Sequence, residues 1–321
     1  MKRLLNRRLI AWLLYYTGTL FLIGFAARWL GLGRPLFLMG HRVLPANRRK
    51  VHRSEIDRMA LLCGHAITDI EMKRRLKLIS RLHPIGDPRD LIKGVPKDNA
   101  FYLTFDDGYR DTLENGGPVL RALGIKAVMF VVADLLHAPQ QMPWWDRWGA
   151  EALHTCPDTR QAIALYQRRC GEQKQVSLGL RRDDAESSSS ATTDALYVSQ
   201  LQLRHGTDVF YVANHTASHP NLAQLTEEEI AGEIEVGTRA ICGIPGYLPL
   251  FAFPFGAYDE RVLSYLHSHP GITMAFATGC GSARDHLSIR RINLNTSPYY
   301  LFVAECVGIF DRLYRMRRRF E

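Results

Sequence analysis

Carboxylates and imidazoles in two short segments are the side chains of this sequence best suited to chemistry. The stretch TFDDG places Asp106 and Asp107 side by side after an apolar, β-prone run, with Gly108 directly behind them. Farther along, His215 and His219 lie four residues apart in NHTASHPNL. Two imidazoles and one carboxylate form the three-ligand set of a catalytic Zn²⁺ site with positions left open, although imidazoles also suit other first-row divalent metals. Taken alone, DDG is equally typical of an ordinary turn.

The two histidines are predicted to lie in a loop rather than on a helix. Pro220 directly follows His219 and disfavours helical backbone there. The segment also lacks the glutamate of the H-E-x-x-H helix. A third segment, FAFPFG, ends a predicted strand with Pro254 and Gly256, and a shaped turn of this kind can offer a peptide N–H to a developing oxyanion.

These segments follow strands in a repeating pattern of strands and helices. Such a pattern predicts a parallel sheet or barrel whose active site lies at the carboxyl ends of the strands. A buried strand in PLFLMGHRVLP and a helix over residues 67–83 come first. The later predicted strands are AFYLTF, IKAVMFVVA, DVFYVAN, YLPLFAF, ITMAFAT and LSIRRINL.

Residues 137–207 interrupt this pattern and are predicted to form an insertion. Its polar, low-complexity stretch RRDDAESSSSATTD predicts a loop at the tip. Three tryptophans, Trp144, Trp145 and Trp148, stand near its start. They could form a wall for sugar rings, but packing is the commoner use of such a cluster and is the expectation here.

The three chemical segments, in this order, resemble those of the NodB-homology polysaccharide deacetylases, carbohydrate esterase family 4. TFDDG, HTASHPNL and FAFPFG carry the resemblance, which covers residues 100–295, and FAFPFG is similar to the "FAYPFG" bacterial subgroup. The resemblance implies an α/β fold, a distorted (β/α) barrel with fewer than eight regular units. It also implies a metal-dependent hydrolase that removes N-acetyl groups from an amino-sugar polysaccharide or oligosaccharide.

The resemblance also implies a role for individual residues. Asp107, His215 and His219 would bind the metal, most readily Zn²⁺. Asp106 would be the general base that takes a proton from the attacking water. The backbone N–H of Phe255 would help to hold the oxyanion.

The sequence departs from the family pattern at two places. Phe253 stands where many members carry an arginine that orients the base. Arg290 or Arg291 could substitute for it, but a surface or structural salt bridge is the expectation for both. The late histidine that supplies the general acid has no clean match, and His286 is the nearest candidate. An O-acetyl esterase and a catalytically degenerate glycan-binding scaffold therefore remain alternatives.

The composition is that of a globular protein with basic ends. The 321 residues are 46% hydrophobic and carry a net charge of +9, concentrated near both termini. No nucleic-acid-binding module accompanies that charge, so nucleic acid is not an expected partner. Six scattered cysteines show no disulfide or zinc spacing and weakly favour a reducing compartment.

Residues 9–27 form an uncharged apolar stretch between basic flanks. A signal anchor, a cleavable signal peptide and a helix lying on the membrane or on the protein body are all open. We expect association with the cytoplasmic membrane and an anionic membrane surface as a partner. The predicted units are an N-terminal hydrophobic helix (1–31), the deacetylase barrel (32–298) and a basic C-terminal helix or tail (299–321).

Overall fold

Seven parallel strands form a closed barrel in the computed structural model, which describes residues 2–30, 33–46, 54–174, 195–206, 208–269, 271–278 and 285–310. The barrel closes because the first strand pairs with both the second and the last barrel strand. The prediction of a distorted (β/α) barrel with fewer than eight units is confirmed. In barrel order the strands are β1 (Leu36–Gly40), β4 (Phe101–Phe105), β5 (Ala127–Val131), β6 (Phe210–Asn214), β7 (Tyr247–Ala252), β8 (Met274–Thr278) and β9 (Ile289–Asn293).

Helices surround the barrel, and a separate parallel pair, β2 (Arg42–Leu44) and β3 (Ala66–Thr68), lies beside it. The helix predicted over residues 67–83 is α4, and caps mark the starts of several helices. The Thr226 and Glu229 capping box opens α10, for example. The helices are α1 (Lys2–Tyr16), α2 (Thr19–Trp29), α3 (Glu55–Leu62), α4 (Asp69–Leu82), α5 (Gly117–Leu123), α6 (Ala133–His137), α7 (Trp144–Thr155), α8 (Thr159–Lys174), α9 (Gln200–Gly206), α10 (Glu227–Ile241), α11 (Glu260–Ser268) and α12 (Tyr299–Cys306).

β1, β4 and β5 are buried along their whole length, which explains their continuous apolar sequences. Along β4, alternate side chains point to opposite faces. Leu103 and Phe105 pack in the layer between the barrel and its helices, whereas Tyr102 packs with the interior cluster around Phe130 and Phe276.

The apolar N-terminal stretch forms two helices, so the prediction of a single hydrophobic helix is wrong. Gly18 has a left-handed backbone (φ 76°) and separates α1 from α2, a conformation that glycine adopts at little cost. No single helix among the described residues has the length and apolarity needed to cross a membrane. The pair Arg7–Tyr16 and Thr19–Trp29, bent by 80°, meets that test only together.

The predicted insertion contributes α7, α8 and α9, and its polar tip falls in residues 175–194, outside the described residues. The C-terminal helix is α12, whereas the basic residues 311–321 also lie outside the described part. No disulfide joins the described cysteines, which are Cys63, Cys156, Cys170, Cys242 and Cys306.

Candidate active site

The DDG segment lies at the carboxyl end of β4, where the strand leaves the barrel. Asp106 continues the inward alternation of Tyr102 and Thr104, and its amide donates to the carbonyl of Gly40 over 2.9 Å. Asp107 then turns into the left-handed region (φ 71°), followed by Gly108 (φ 78°). This turn aims the adjacent carboxylates in different directions, which relieves their mutual repulsion.

The histidine loop follows β6 and is held in an uncommon backbone conformation. Thr216 and His219 both have positive φ values, 70° and 62°, and this conformation is costly for a β-branched residue such as threonine. Side chains compensate: Asn214 Oδ1 accepts from the amide of Thr216 over 2.7 Å, and Thr216 Oγ1 accepts from the amide of His219 over 2.9 Å. The loop is further tied to α10 through Glu233, whose carboxylate accepts from Ser218.

Asp107, His215 and His219 converge on one point. The two Nε2 atoms lie 3.3 and 3.4 Å from Asp107 Oδ1, and all three side chains are buried. Ligand atoms at 2.0–2.2 Å from a tetrahedral ion are about 3.3–3.6 Å apart, so the spacing fits a Zn²⁺-sized cation. His215 Nδ1 lies 2.8 Å from the carbonyl of Ala252. A proton on Nδ1 leaves the Nε2 lone pair directed at the cluster, as metal-binding histidines require.

The charges of this cluster are mutually stabilised. Burial opposes ionisation of Asp107, but hydrogen bonds with His215 and His219 hold its pKa well below its ordinary value. Burial lowers the pKa of His219. The pKa of His215 is raised, because contacts with the neighbouring carboxylates outweigh its burial. An anionic carboxylate facing imidazoles is the electrostatic setting that a divalent cation would occupy.

Arg291 on β9 is the partner of Asp106, so the expectation of a surface salt bridge is wrong for this residue, and its ion pair lies buried inside the site. Its two terminal nitrogens donate to the two carboxylate oxygens, each over 2.7 Å, and the guanidinium is fully buried. Arg290, the adjacent residue on the strand, is exposed. Burial favours protonation of Asp106, but the charge of Arg291 holds the pKa of that carboxyl below its ordinary value.

The FAFPFG segment lies beside the histidine loop. Phe255 has a left-handed backbone (φ 59°) and its ring packs edge-on against His219, with centroids 4.6 Å apart. The carbonyl of Phe255 accepts from Thr278 Oγ1 over 3.2 Å, which fixes the orientation of this turn. Phe253 is buried and stacks on Tyr258 in the apolar layer outside the barrel.

His286 lies at the other end of the barrel, so the prediction that it is the nearest candidate for the general acid is wrong. Its carbonyl pairs with the amide of Ala275, near the start of β8, and it precedes β9. Its side chain is largely exposed and its nearest charged neighbour is Asp285, at 3.9 Å. Because Asp106 follows the carboxyl end of a parallel strand, the whole barrel separates the two residues.

His41 is a site residue that the sequence reasoning missed. It directly follows β1, next to β4 in the barrel, and lines the same cavity as Asp106 and Asp107. Its charge contributes to lowering the pKa of both carboxyls. Its Nδ1 is buried without a hydrogen-bond partner among the described residues. The available signal was positional: the apolar run LFLMG ends in a histidine at a strand's carboxyl end.

The insertion forms one wall of the site. Trp145 packs on His219 with ring centroids 4.7 Å apart, and Trp144 lies against Phe255. Both indoles are buried, as the prediction of a packing role requires, and both also line the cavity. Asp146 accepts hydrogen bonds from the hydroxyls of Tyr109 and Tyr197, and burial raises its pKa to about 6. This network ties α7 to the loop that carries the aspartates.

A cavity of about 380 Å³ opens over the cluster, a volume suited to a small organic group such as a sugar residue. Its polar end contains the aspartates and histidines described above. Its opposite end lies between α3, α7 and α8 and is mainly apolar. That end is lined by Ile56, Met59, Ala60, Cys63, Tyr166 and Cys170.

Gly237 on α10 sets the position of the histidine loop. A Cβ at this position would lie 2.5 Å from Asn214 Oδ1 and 2.9 Å from the backbone of Thr216. We therefore expect Gly237→Ala to lower the free energy of unfolding by about 1–3 kcal/mol through overpacking, measured by urea denaturation. Gly232→Ala on the same helix is the control: it meets no atom within 4 Å and should raise stability by up to about 1 kcal/mol. Equal effects of both changes would contradict this role of Gly237.

A comparison of the chain with known protein families finds a matching family. The polysaccharide deacetylase family model matches residues 93–165 and 185–274, just over half of the chain. Those segments contain Asp106, Asp107 and both histidines. No curated protein sequence matches this chain significantly.

Solved structures with the same fold include several deacetylases. The chain superposes on the deacetylase PplD of Streptococcus pyogenes with a TM-score of 0.55 and 14% identity, covering 85% of this chain and 98% of that one. For IcaB from Ammonifex degensii the TM-score is 0.54 with 17% identity, covering 86% and 97%. For a polysaccharide deacetylase of Bacillus cereus it is 0.54 with 14% identity, covering 85% and 69%. At these identities the likeness bears on the fold alone.

The family match and the fold agree with the order of the three segments in the sequence, so the predicted relationship is confirmed. The chain belongs to the polysaccharide deacetylase family, of the NodB-homology type found in carbohydrate esterase family 4, and is a hydrolase of carbon–nitrogen bonds other than peptide bonds.

Proposed function

We propose that this protein removes N-acetyl groups from an amino-sugar polysaccharide or oligosaccharide with the help of a divalent cation. The observation that carries the proposal is the convergence of Asp107, His215 and His219 beside a separate, ionised carboxylate, Asp106. The three ligands form a cation site with open coordination positions. Asp106 is not one of the ligands, so its carboxylate is available as a base. Zn²⁺ is the preferred cation because imidazole nitrogens supply two of the three ligands.

The residues around the cluster divide the work of amide hydrolysis. Asp106, kept ionised by Arg291, takes a proton from the attacking water. The backbone N–H of Phe255 is assigned as a donor to the developing oxyanion. A bound divalent cation would polarise the acetyl carbonyl and acidify water at the site. Trp144 and Trp145 exclude solvent from this end of the cavity.

His41 is assigned as the group that gives a proton to the departing amine. An amine is a poor leaving group unless protonated, and a positioned acid contributes about 10²–10⁴-fold to such a step. We expect His41→Gln to lower kcat for acetamide cleavage within that range while metal content stays unchanged. An activated aryl acetate, whose leaving group needs no proton, should lose far less.

His286→Gln is the matched control for His41→Gln. It replaces an exposed histidine at the opposite end of the barrel, so its kcat should equal that of the unaltered protein. A rate loss in His286→Gln, with none in His41→Gln, would refute the assignment of His41.

The function itself is tested by metal removal and acetate release. The purified full chain should contain one divalent metal per chain, and chelation should reduce acetate release from N-acetylglucosamine oligomers to background, with recovery on adding Zn²⁺. His219→Ala should lose the metal, whereas His205→Ala, at an exposed position on α9, should keep it. Release of acetate only from O-acetylated glycans would indicate that the protein hydrolyses esters instead of amides. A protein that binds no metal and releases no acetate would favour the glycan-binding scaffold.

A further inference from the structure

The two N-terminal helices expose a large apolar surface. More than half of the exposed large hydrophobic side chains among the described residues fall within residues 9–30. Trp29 is 86% exposed and Leu22 is 69% exposed. Exposed apolar patches of this kind mark interaction sites in folded proteins. The remaining members are Leu9, Ile10, Trp12, Leu13, Tyr16, Phe25 and Leu30.

The opposite side of these helices is packed on the protein body. Ala11, Leu20 and Ala27 are buried, and Gly24 approaches Leu82 of α4 so closely that a Cβ would lie 3.0 Å from its side chain. The ring of Tyr15 meets that of Tyr299 on α12, with centroids 6.1 Å apart. The apolar surface is therefore held at a fixed position on the barrel.

A row of basic side chains adjoins this surface. Arg28, in the last turn of α2, donates to the carbonyls of Ser80 and Arg81 at the end of α4. Lys73, Lys77 and Arg81 are exposed on α4 at four-residue spacing, which places them on one helical face. Arg7 and Arg8 of α1 are exposed as well.

We propose that α1, α2 and the basic face of α4 form a docking surface for an anionic phospholipid bilayer. Aromatic and aliphatic side chains flanked by lysine and arginine are the composition of helices that bind the membrane interface, where apolar groups enter the acyl boundary and basic groups attract anionic lipids. A second copy of this chain fits less well, because it would bring two basic rims together. The surface is separate from the catalytic residues, so the proposal does not depend on the proposed function.

Vesicle co-sedimentation of the full chain tests the proposal. The protein should bind vesicles of phosphatidylcholine with phosphatidylglycerol, and bind pure phosphatidylcholine more weakly. Trp12→Ser, Leu22→Ser and Phe25→Ser combined should weaken binding by about 100-fold, because three apolar side chains no longer enter the bilayer. Lys73→Glu, Lys77→Glu and Arg81→Glu combined should abolish the preference for anionic vesicles.

A matched control distinguishes binding through this surface from nonspecific hydrophobic binding. Ile92→Ser, Val95→Ser and Leu201→Ser combined remove exposed apolar side chains elsewhere on the described surface and should leave vesicle binding unchanged. Equal loss in both triple variants, or no vesicle binding at all, would overturn the proposal. So would vesicle-independent dimerisation, measured by light scattering, that the Trp12, Leu22 and Phe25 substitutions abolish, because a second copy would then be the occupant. Acetate release from soluble oligomers should be the same in all of these variants.

Discussion

Asp106→Asn is expected to lower kcat for acetate release by about 10³-fold, within the range for loss of a positioned general base, while the protein still binds one metal per chain. Asparagine has nearly the same shape but cannot take the proton from water. The metal should remain because Asp106 is outside the cluster of Asp107, His215 and His219. Metal analysis and kinetics on the same preparation provide the two readouts.

Asp107→Asn is the informative comparison, because it changes the neighbouring carboxylate. It should lose both metal and activity, since Asp107 Oδ1 faces both imidazoles. Adding excess Zn²⁺ should partly restore Asp107→Asn but not Asp106→Asn. If Asp106→Asn instead lost its metal, the division of roles between the two aspartates would be wrong.

Arg291→Met is expected to lower the free energy of unfolding by about 3–5 kcal/mol, the typical cost of leaving one member of a buried ion pair without its partner. The guanidinium is fully buried and makes two bonds of 2.7 Å to Asp106. Acetate release should fall as well, because Asp106 loses the charge that keeps it ionised. Urea denaturation of the full chain measures the first effect.

A double-mutant cycle separates stability from catalysis in this pair. Combining Arg291→Met with Asp106→Leu removes both charges, so the double variant should be more stable than Arg291→Met alone but remain inactive. Arg291→Lys should recover only part of the activity, because an ammonium cannot bind both carboxylate oxygens in the same planar geometry. Arg290→Met, at the exposed neighbouring position, should change stability by less than about 0.5 kcal/mol. Additive effects of the two single changes would argue against a coupled pair.

Local signals made most of the barrel predictable from the sequence. The continuous apolar run IKAVMFVVA indicated a strand and forms β5. Local signals also mark helix ends in the structure, since Gly124 follows α5 and the capping box of Thr226 and Glu229 opens α10. These features depend on neighbours within a few residues, so a single sequence contains them. The break between α1 and α2 at Gly18 was not predicted, because apolar composition alone does not indicate where one helix ends and the next begins.

The residues that surround the aspartates and histidines of the site were not predictable in the same way. Arg291 is 185 positions from Asp106 in the chain, and the sequence contains no sign that β9 closes the barrel next to β1. His41 enters the site for the same reason, because β1 pairs directly with β4. His286 was predicted from its place in the sequence, whereas the direction of the parallel strands places it at their amino ends, opposite Asp106.

The sequence by itself determined the family, the barrel and the group Asp106, Asp107, His215 and His219, because each depends on short segments whose strand-end positions follow from local pattern. Only the tertiary structure decided that Arg291 binds Asp106 and that His41 lines the same cavity. Both placements arise where the chain closes on itself, and ring closure is a property of all seven strands together rather than of any one segment.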